Sequence, residues 1–359
     1  MSKESSFIVE APGRVFIFGE HSDYLGLEVI SMALDKTIKI KVKPRKDSLL
    51  KINYADFNEE DSFSLDENVV YRHKRDYLRS CFNVLKRDGF LLKTGADLIV
   101  TGEVPIAAGL SSSSAFSIAC VMAFARLAEK ELTTEEIVQY AFKGEVVEFG
   151  ESGGMMDHYS SAFGGIIHVD FGQEITLTKV PTKLTGLVIG DSLEKKKDTV
   201  GDLRRIRNTV EEGYRQLGTM IKNFSHRETS LETIIKFIDK VSEENRLMTI
   251  TTIRNRDLTR KALKVLQQGN FTHEQIGSMI DELHTLIRDG FKRSTPKIER
   301  MITAAKSAGA LGCKLNGSGG GGTMLAYAPG KEEAVVKAIN DAGGKAFIIS
   351  TGLGAKFSI

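Results

Sequence analysis

Three cysteines are all this 359-residue chain has, Cys81, Cys120 and Cys313. They stand far apart, in no CxxC pair and beside no histidine cluster, which argues against a zinc site and against a disulfide framework and points to a reducing compartment. Charge of one sign is also missing. Lys plus Arg total 49 against 47 Asp plus Glu, a net charge of +2, so no strong field draws nucleic acid or an anionic membrane, and any anion must be bound locally. No stretch approaches the ~20 apolar residues that cross a bilayer, and MSKESSFIVEAPG lacks a basic region followed by an apolar one, so the chain reads as cytoplasmic. With 41% hydrophobic and 27% charged residues, it has the balance of a globular protein of one large or two ordinary domains.

Up to about residue 185 the pattern is strand-rich, with Val-, Ile- and Phe-bearing segments at 14–18, 29–34, 37–42, 96–101 and 166–170. Two helices interrupt it, an apolar one over 112–129 and a second over 133–149 opened by a Thr133/Glu136 capping box. From Leu193 to Gly309 the chain turns to Lys, Arg and Glu with apolar residues at helical spacing, as in RDLTRKALKVLQQ and HEQIGSMIDELHTLI. Thr295 and Pro296 form a cap and first-turn pair for a helix over 297–307. Short strands return at 314–316, 323–328 and 346–350. The expected division is 1–185 and 186–359.

Three polar stretches carry chemistry. GLSSSSAF, from Gly109 to Phe116, follows a strand and opens a helix. Backbone N–H groups there lack intrahelical partners, and the helix dipole adds roughly half a positive charge, so a phosphate is favoured. An ordinary helix cap would need only one serine. The loop is not of the GxxxxGK[ST] kind, because no lysine follows the serines. GSGGGG, Gly317 to Gly322, satisfies GxGxxG, but TMLAYA behind it alternates like a strand, whereas a dinucleotide fingerprint must open a helix. APGRVFIFGEHSDYLGL runs as an apolar strand and then places Glu20, His21, Asp23 and Tyr24 within five positions, the ending of a strand that feeds a site or of a solvated turn.

Taken together and in this order, APGRVFIFGEHSDY, PIAAGLSSSSA and KLNGSGGGG resemble the three motifs of the GHMP small-molecule kinases. The resemblance implies a two-domain α+β fold, the N-terminal domain like ribosomal protein S5 domain 2 and the C-terminal one ferredoxin-like, with the active site between them. It also implies ATP and Mg²⁺. Gly109, Leu110, Ser111, Ser112, Ser113 and Ser114, with Gly317, Gly319 and Gly320, would hold the nucleotide phosphates. Ser113 and Glu145 would hold the metal, a set of oxygens that suits Mg²⁺ completed by phosphate and water, with Glu148 as the other carboxylate in reach of that role. GESGGMMDHYSSAFGG looks like the stretch with the family's catalytic aspartate, here Asp157, and Arg14 falls where galactokinases carry a catalytic arginine. Beside Arg14, Asp157 would be a weak base, which a loose phosphoryl-transfer transition state tolerates.

Within the family, GEHSDY is most similar to galactokinases, where the residues matching Glu20, His21, Asp23 and Tyr24 lie at the sugar. Mevalonate kinases have an apolar residue at the position of Asp23. The implied substrate is a free sugar, galactose first, phosphorylated at its anomeric hydroxyl. An N-acetylhexosamine, a uronic acid, arabinose, a mevalonate-type substrate or a non-catalytic sugar sensor are the alternatives, because Leu25, Leu27 and 160–163 depart from the usual galactokinase pattern. Oligomeric state is not legible.

Overall fold

The computed structural model describes residues 5–66, 69–106, 108–196 and 198–358. In chain order its first part contains β1 (Phe7–Phe18), β2 (Glu28–Pro44), β3 (Leu49–Tyr54), β4 (Glu59–Ser64), α1 (Tyr77–Arg87), β5 (Ala96–Gly102), α2 (Ser112–Leu127), α3 (Thr134–Phe142), α4 (Met156–Phe163), β6 (Ile166–Phe171) and β7 (Ile175–Lys179). The second part contains β8 (Leu187–Asp191), α5 (Thr199–Met220), α6 (Leu231–Ile238), α7 (Glu243–Gln268), α8 (His273–Thr285), α9 (Pro296–Ser307), β9 (Gly312–Asn316), β10 (Thr323–Tyr327), α10 (Glu332–Asp341), β11 (Lys345–Ile349) and β12 (Lys356–Ser358).

Two sheets result. The larger runs β12-β1-β2-β5-β3-β4, with β6 and β7 branching from β2; the smaller is β11-β8-β10-β9, antiparallel throughout. The chain passes from one to the other between Lys179 and Leu187, and β12 returns to pair with β1. The second half of β1 is buried on both faces, as a strand must be when α2 and α4 cover one side and the helices of the second half approach the other. α2 is apolar nearly all round and sits under α1, α3 and α4. No helix among the described residues is long and apolar enough to cross a membrane.

Several elements differ from the sequence expectation. The strands expected at 29–34 and 37–42 are one continuous β2, bent opposite a register shift between Pro12 and Arg14 of β1. The Asp35-Lys36 pair that suggested a break lies where the strand reaches the surface. β3 and β4 were not expected, because their exposed faces carry the charge. The helix expected over 133–149 keeps its Thr133 capping box but ends as α-helix at Phe142 and widens into a π-helical turn, Lys143–Val147. Thr295 caps α9 with Pro296 in its first turn, as read.

Candidate active site

The shift in β1 at Pro12–Arg14 is the start of the site. A Cβ on Gly13 would come within 2.6 Å of the Leu110 carbonyl oxygen, so only glycine lets β1 press against the serine loop. The Arg14 amide donates to that same carbonyl at 3.0 Å. Leu110 itself is fully buried and serves the loop from beneath. The Arg14 guanidinium lies over the Phe16 ring, 4.3 Å from its centroid. Its Nε and Nη2 donate to Asp157 Oδ1 and Oδ2 at 2.6 and 2.5 Å, and Nη1 donates to the Gly109 carbonyl at 2.7 Å. Asp157 stands in the first turn of α4, where a carboxylate also suits the helix dipole. Ser111 Oγ gives it a third hydrogen bond at 2.5 Å.

That last bond explains the helix start. Ser111 occupies the cap position of α2 with φ +58° and makes no side-chain cap, its hydroxyl being committed to Asp157. Elsewhere Thr133, Asp198, Ser230, Thr272 and Thr295 cap their helices. The first turn of α2 therefore keeps its dipole end uncapped towards the cavity, beside Ser112, Ser113 and Ser114.

The glycine run is the turn between β9 and β10, an antiparallel pair with no helix behind it. Asn316 ties it to the rest: its Oδ1 accepts from the Phe16 amide at 3.1 Å, and its Nδ2 donates to the Gly109 carbonyl at 2.9 Å. Gly317 and Ser318 line the cavity. Gly319 and Gly320 stand behind them against Arg293, whose Nε donates to the Ser318 carbonyl at 2.9 Å and whose Nη2 pairs with Asp202 at 2.7 Å.

The cluster after β1 divides in two. Asp23 opens a short 3₁₀ turn and fits against Gly154, where any Cβ would lie 1.9 Å from Oδ2. Burial, then the nearby Asp157 charge, raises its pKa to about 6. His21 and Tyr24 share a 2.8 Å hydrogen bond through Nδ1, leaving Nε2 without a partner. Burial and the cations Arg293 and Lys196 hold His21 down to about 3, so it is neutral at physiological pH. Glu20 is buried and bonded through Oε1 to Lys314, also fully buried, while its Oε2 has no partner.

Glu145 projects from the π-helical turn into the same cavity as Ser113. Its Oε2 lies 2.7 Å from His158 Nε2 but out of line for a hydrogen bond, and is left unsatisfied. Glu148 faces away, held by Tyr71 and Arg87. Among the described residues no group of three or more His, Cys, Asp or Glu side chains could hold a metal ion alone. A buried, unsatisfied carboxylate oxygen and a nearby hydroxyl do fit Mg²⁺ when phosphate supplies further oxygens.

These groups enclose a cavity of about 600 Å³. Four residues that shape it were not singled out by the sequence reading. Lys314 and Asn316 stood inside a quoted motif without a role, and Lys196 is one of three consecutive lysines with nothing to choose between them. Arg293 precedes α9 in a segment without pattern.

A two-sheet fold with a cavity bounded by two glycine-bearing loops, an uncapped helix end and an Arg–Asp pair defines a class of phosphate-handling proteins, and the comparisons agree. Residues 76–165 match the family described as GHMP kinases N terminal domain, residues 261–345 that described as GHMP kinases C terminal, and residues 1–44 a galactokinase galactose-binding signature. A galactokinase of Pasteurella multocida is 30% identical, the alignment covering 93% of this chain and 88% of that protein. A mevalonate kinase of Pyrococcus abyssi is 29% identical over 95% and 94%. The crystal structure of Lactococcus lactis galactokinase complexed with galactose superposes with a TM-score of 0.85 at 21% identity, covering 99% of this chain and 96% of that one. The chain belongs to the GHMP kinase family. It is a phosphotransferase acting on an alcohol group.

Proposed function

We propose that this protein transfers the terminal phosphoryl group of ATP to the anomeric hydroxyl of a free hexose, as a galactokinase-like sugar kinase. The observation that carries the reading is Asp23, a carboxylate in the same cavity as the Arg14–Asp157 pair. An anionic acceptor suits a neutral polyol and repels a carboxylate-bearing substrate such as mevalonate. The galactose-binding signature over residues 1–44 supports the same choice. The mevalonate reading has the identity to the archaeal enzymes in its favour.

In the mechanism, the sugar hydroxyl oxygen forms the new bond to phosphorus as the bond to ADP breaks, and its proton passes to Asp157. Three donors on that carboxylate, from Arg14 and Ser111, fix its direction. Arg14 also carries positive charge to the transferring group, and a loose transition state needs such orientation and charge more than early proton removal. The serine loop and Gly317–Ser318 would cradle the phosphates. Ser113 and Glu145 would hold Mg²⁺, which neutralises phosphate charge when bound.

The test is ADP release by the purified protein with Mg-ATP across hexoses, hexosamines, uronates, pentoses, inositols and mevalonate, with product NMR to locate the phosphate. A hexose 1-phosphate is expected, and Asp157→Asn should abolish turnover while sugar still binds. Turnover of mevalonate alone would replace the sugar reading.

A further inference from the structure

Lys196 lies between β8 and α5, and its side chain reaches the seam where the serine and glycine loops meet. A methyl group on Gly109 would stand 3.0 Å from its Nζ, and one on Gly322 would stand 3.3 Å away. Other cations of the cavity have carboxylate partners: Arg14 pairs with Asp157 and Arg75 with Glu151. Among the described residues Lys196 is in no ion pair, and its ammonium donates to the Ser318 hydroxyl at 2.9 Å. A cation half-withdrawn from water with no counter-charge, facing an uncapped helix end, makes a place for an anion.

We propose that Lys196 contacts the terminal phosphate of the bound nucleotide and stabilises the transferring phosphoryl group. This rests on the kinase reading above. That phosphate must lie beside Asp157, which takes the hydroxyl proton, and Lys196 is close enough to feel the charges of both Arg14 and Asp157. Lys196 keeps its own proton throughout, meeting charge that builds on the phosphoryl oxygens.

The setting also gives the contact a signature. Burial, then Arg14 and Arg293, lower the Lys196 pKa to about 8, with Asp157 and Asp191 opposing. An arriving phosphate raises it again, so binding at pH 8 takes up a fraction of a proton.

Calorimetry at pH 8 in two buffers of different ionisation enthalpy, with the β,γ-imido analogue of ATP and with ADP, tests this alongside turnover. Lys196→Met should lower kcat about a hundredfold, weaken the ATP analogue about tenfold, leave ADP within about twofold, and lose the proton uptake. Lys196→Arg should recover part of kcat, which a misfolded site would not. Ser318→Ala removes the lysine's hydrogen bond but not its charge and should keep the proton uptake, whereas a lysine that merely braces the loop would make the two variants alike. Equal weakening of ADP and the ATP analogue, or kcat within about threefold of wild type, would overturn the role. Wild-type protein without turnover on any acceptor would overturn the kinase reading and the role together, while an active wild type with a normal Lys196→Met overturns the role alone.

Discussion

Asp23 can accept hydrogen bonds from a sugar only while ionised, and its surroundings oppose ionisation. Its folded pKa of about 6 lies above the unfolded value near 4. The folded state therefore holds this proton more tightly, and the group's contribution to stability is present below about pH 4 and lost as pH rises through 6. Asp23→Asn keeps the shape and removes the charge. At pH 7.5 the variant should unfold at a higher temperature than wild type, a gain of roughly 1–3 kcal/mol that disappears below pH 4. The same change should raise the sugar KM about tenfold or more, since a charge-assisted acceptor is lost. Thermal melts across pH with parallel kinetics check both. Lower stability at pH 7.5 would mean that Asp23 holds the fold together instead of being strained by it.

At the scale of elements, the π-helical turn after α3 decides which carboxylate faces the cavity. Gly144 packs on Cys81, where a Cβ would meet Sγ at 2.7 Å, and the wide turn carries Glu145 inward while Glu148 is taken by Arg87 and Tyr71. Glu145→Gln should raise the Mg²⁺ concentration for half-maximal activity several-fold and lower kcat/KM about tenfold or more, with sugar affinity nearly unchanged. Glu148→Gln should leave the metal titration where it is. If the two variants exchanged these phenotypes, the metal role would move to Glu148. The turn also marks what sequence can convey. α2, the capped start of α3 and the Pro296 start of α9 were legible because apolar periodicity and caps are local. The widening at Lys143 answers to Cys81, sixty residues away in the chain, and leaves no local mark. β3 and β4 were hidden by charged outward faces. In the site, residues within the three motifs meet at one cavity, while Lys196 and Arg293 reach it from segments whose spacing says nothing of direction.

At the scale of the whole molecule, the cavity has its shape only while the two sheets stay in register with each other. Glu20 ends β1 in the larger sheet and Lys314 lies on β9 in the smaller, so their buried bond spans the two. Asn255 of α7 strengthens the same joint, donating to the Glu20 carbonyl at 2.8 Å and to Ser22 Oγ at 3.2 Å. Burial, then Arg14, pushes the Lys314 pKa well down, so the ammonium there depends on its carboxylate partner. Such a pair contributes little against a well-packed apolar replacement, yet breaking one side leaves an uncompensated buried charge that costs about 3–5 kcal/mol. Lys314→Met should therefore destabilise the protein by about that amount, and the double variant Glu20→Gln with Lys314→Met should recover much of it. Denaturant unfolding of the wild type, both single variants and the double gives the coupling directly. Additive losses would show that Glu20 and Lys314 act separately. The kinetics of the double variant then ask a second question of Glu20, which the motif resemblance had assigned to the sugar. If its work is to join the sheets, the restored double variant should keep its sugar KM within about threefold of wild type; a KM raised far beyond that, at restored stability, would return Glu20 to the substrate.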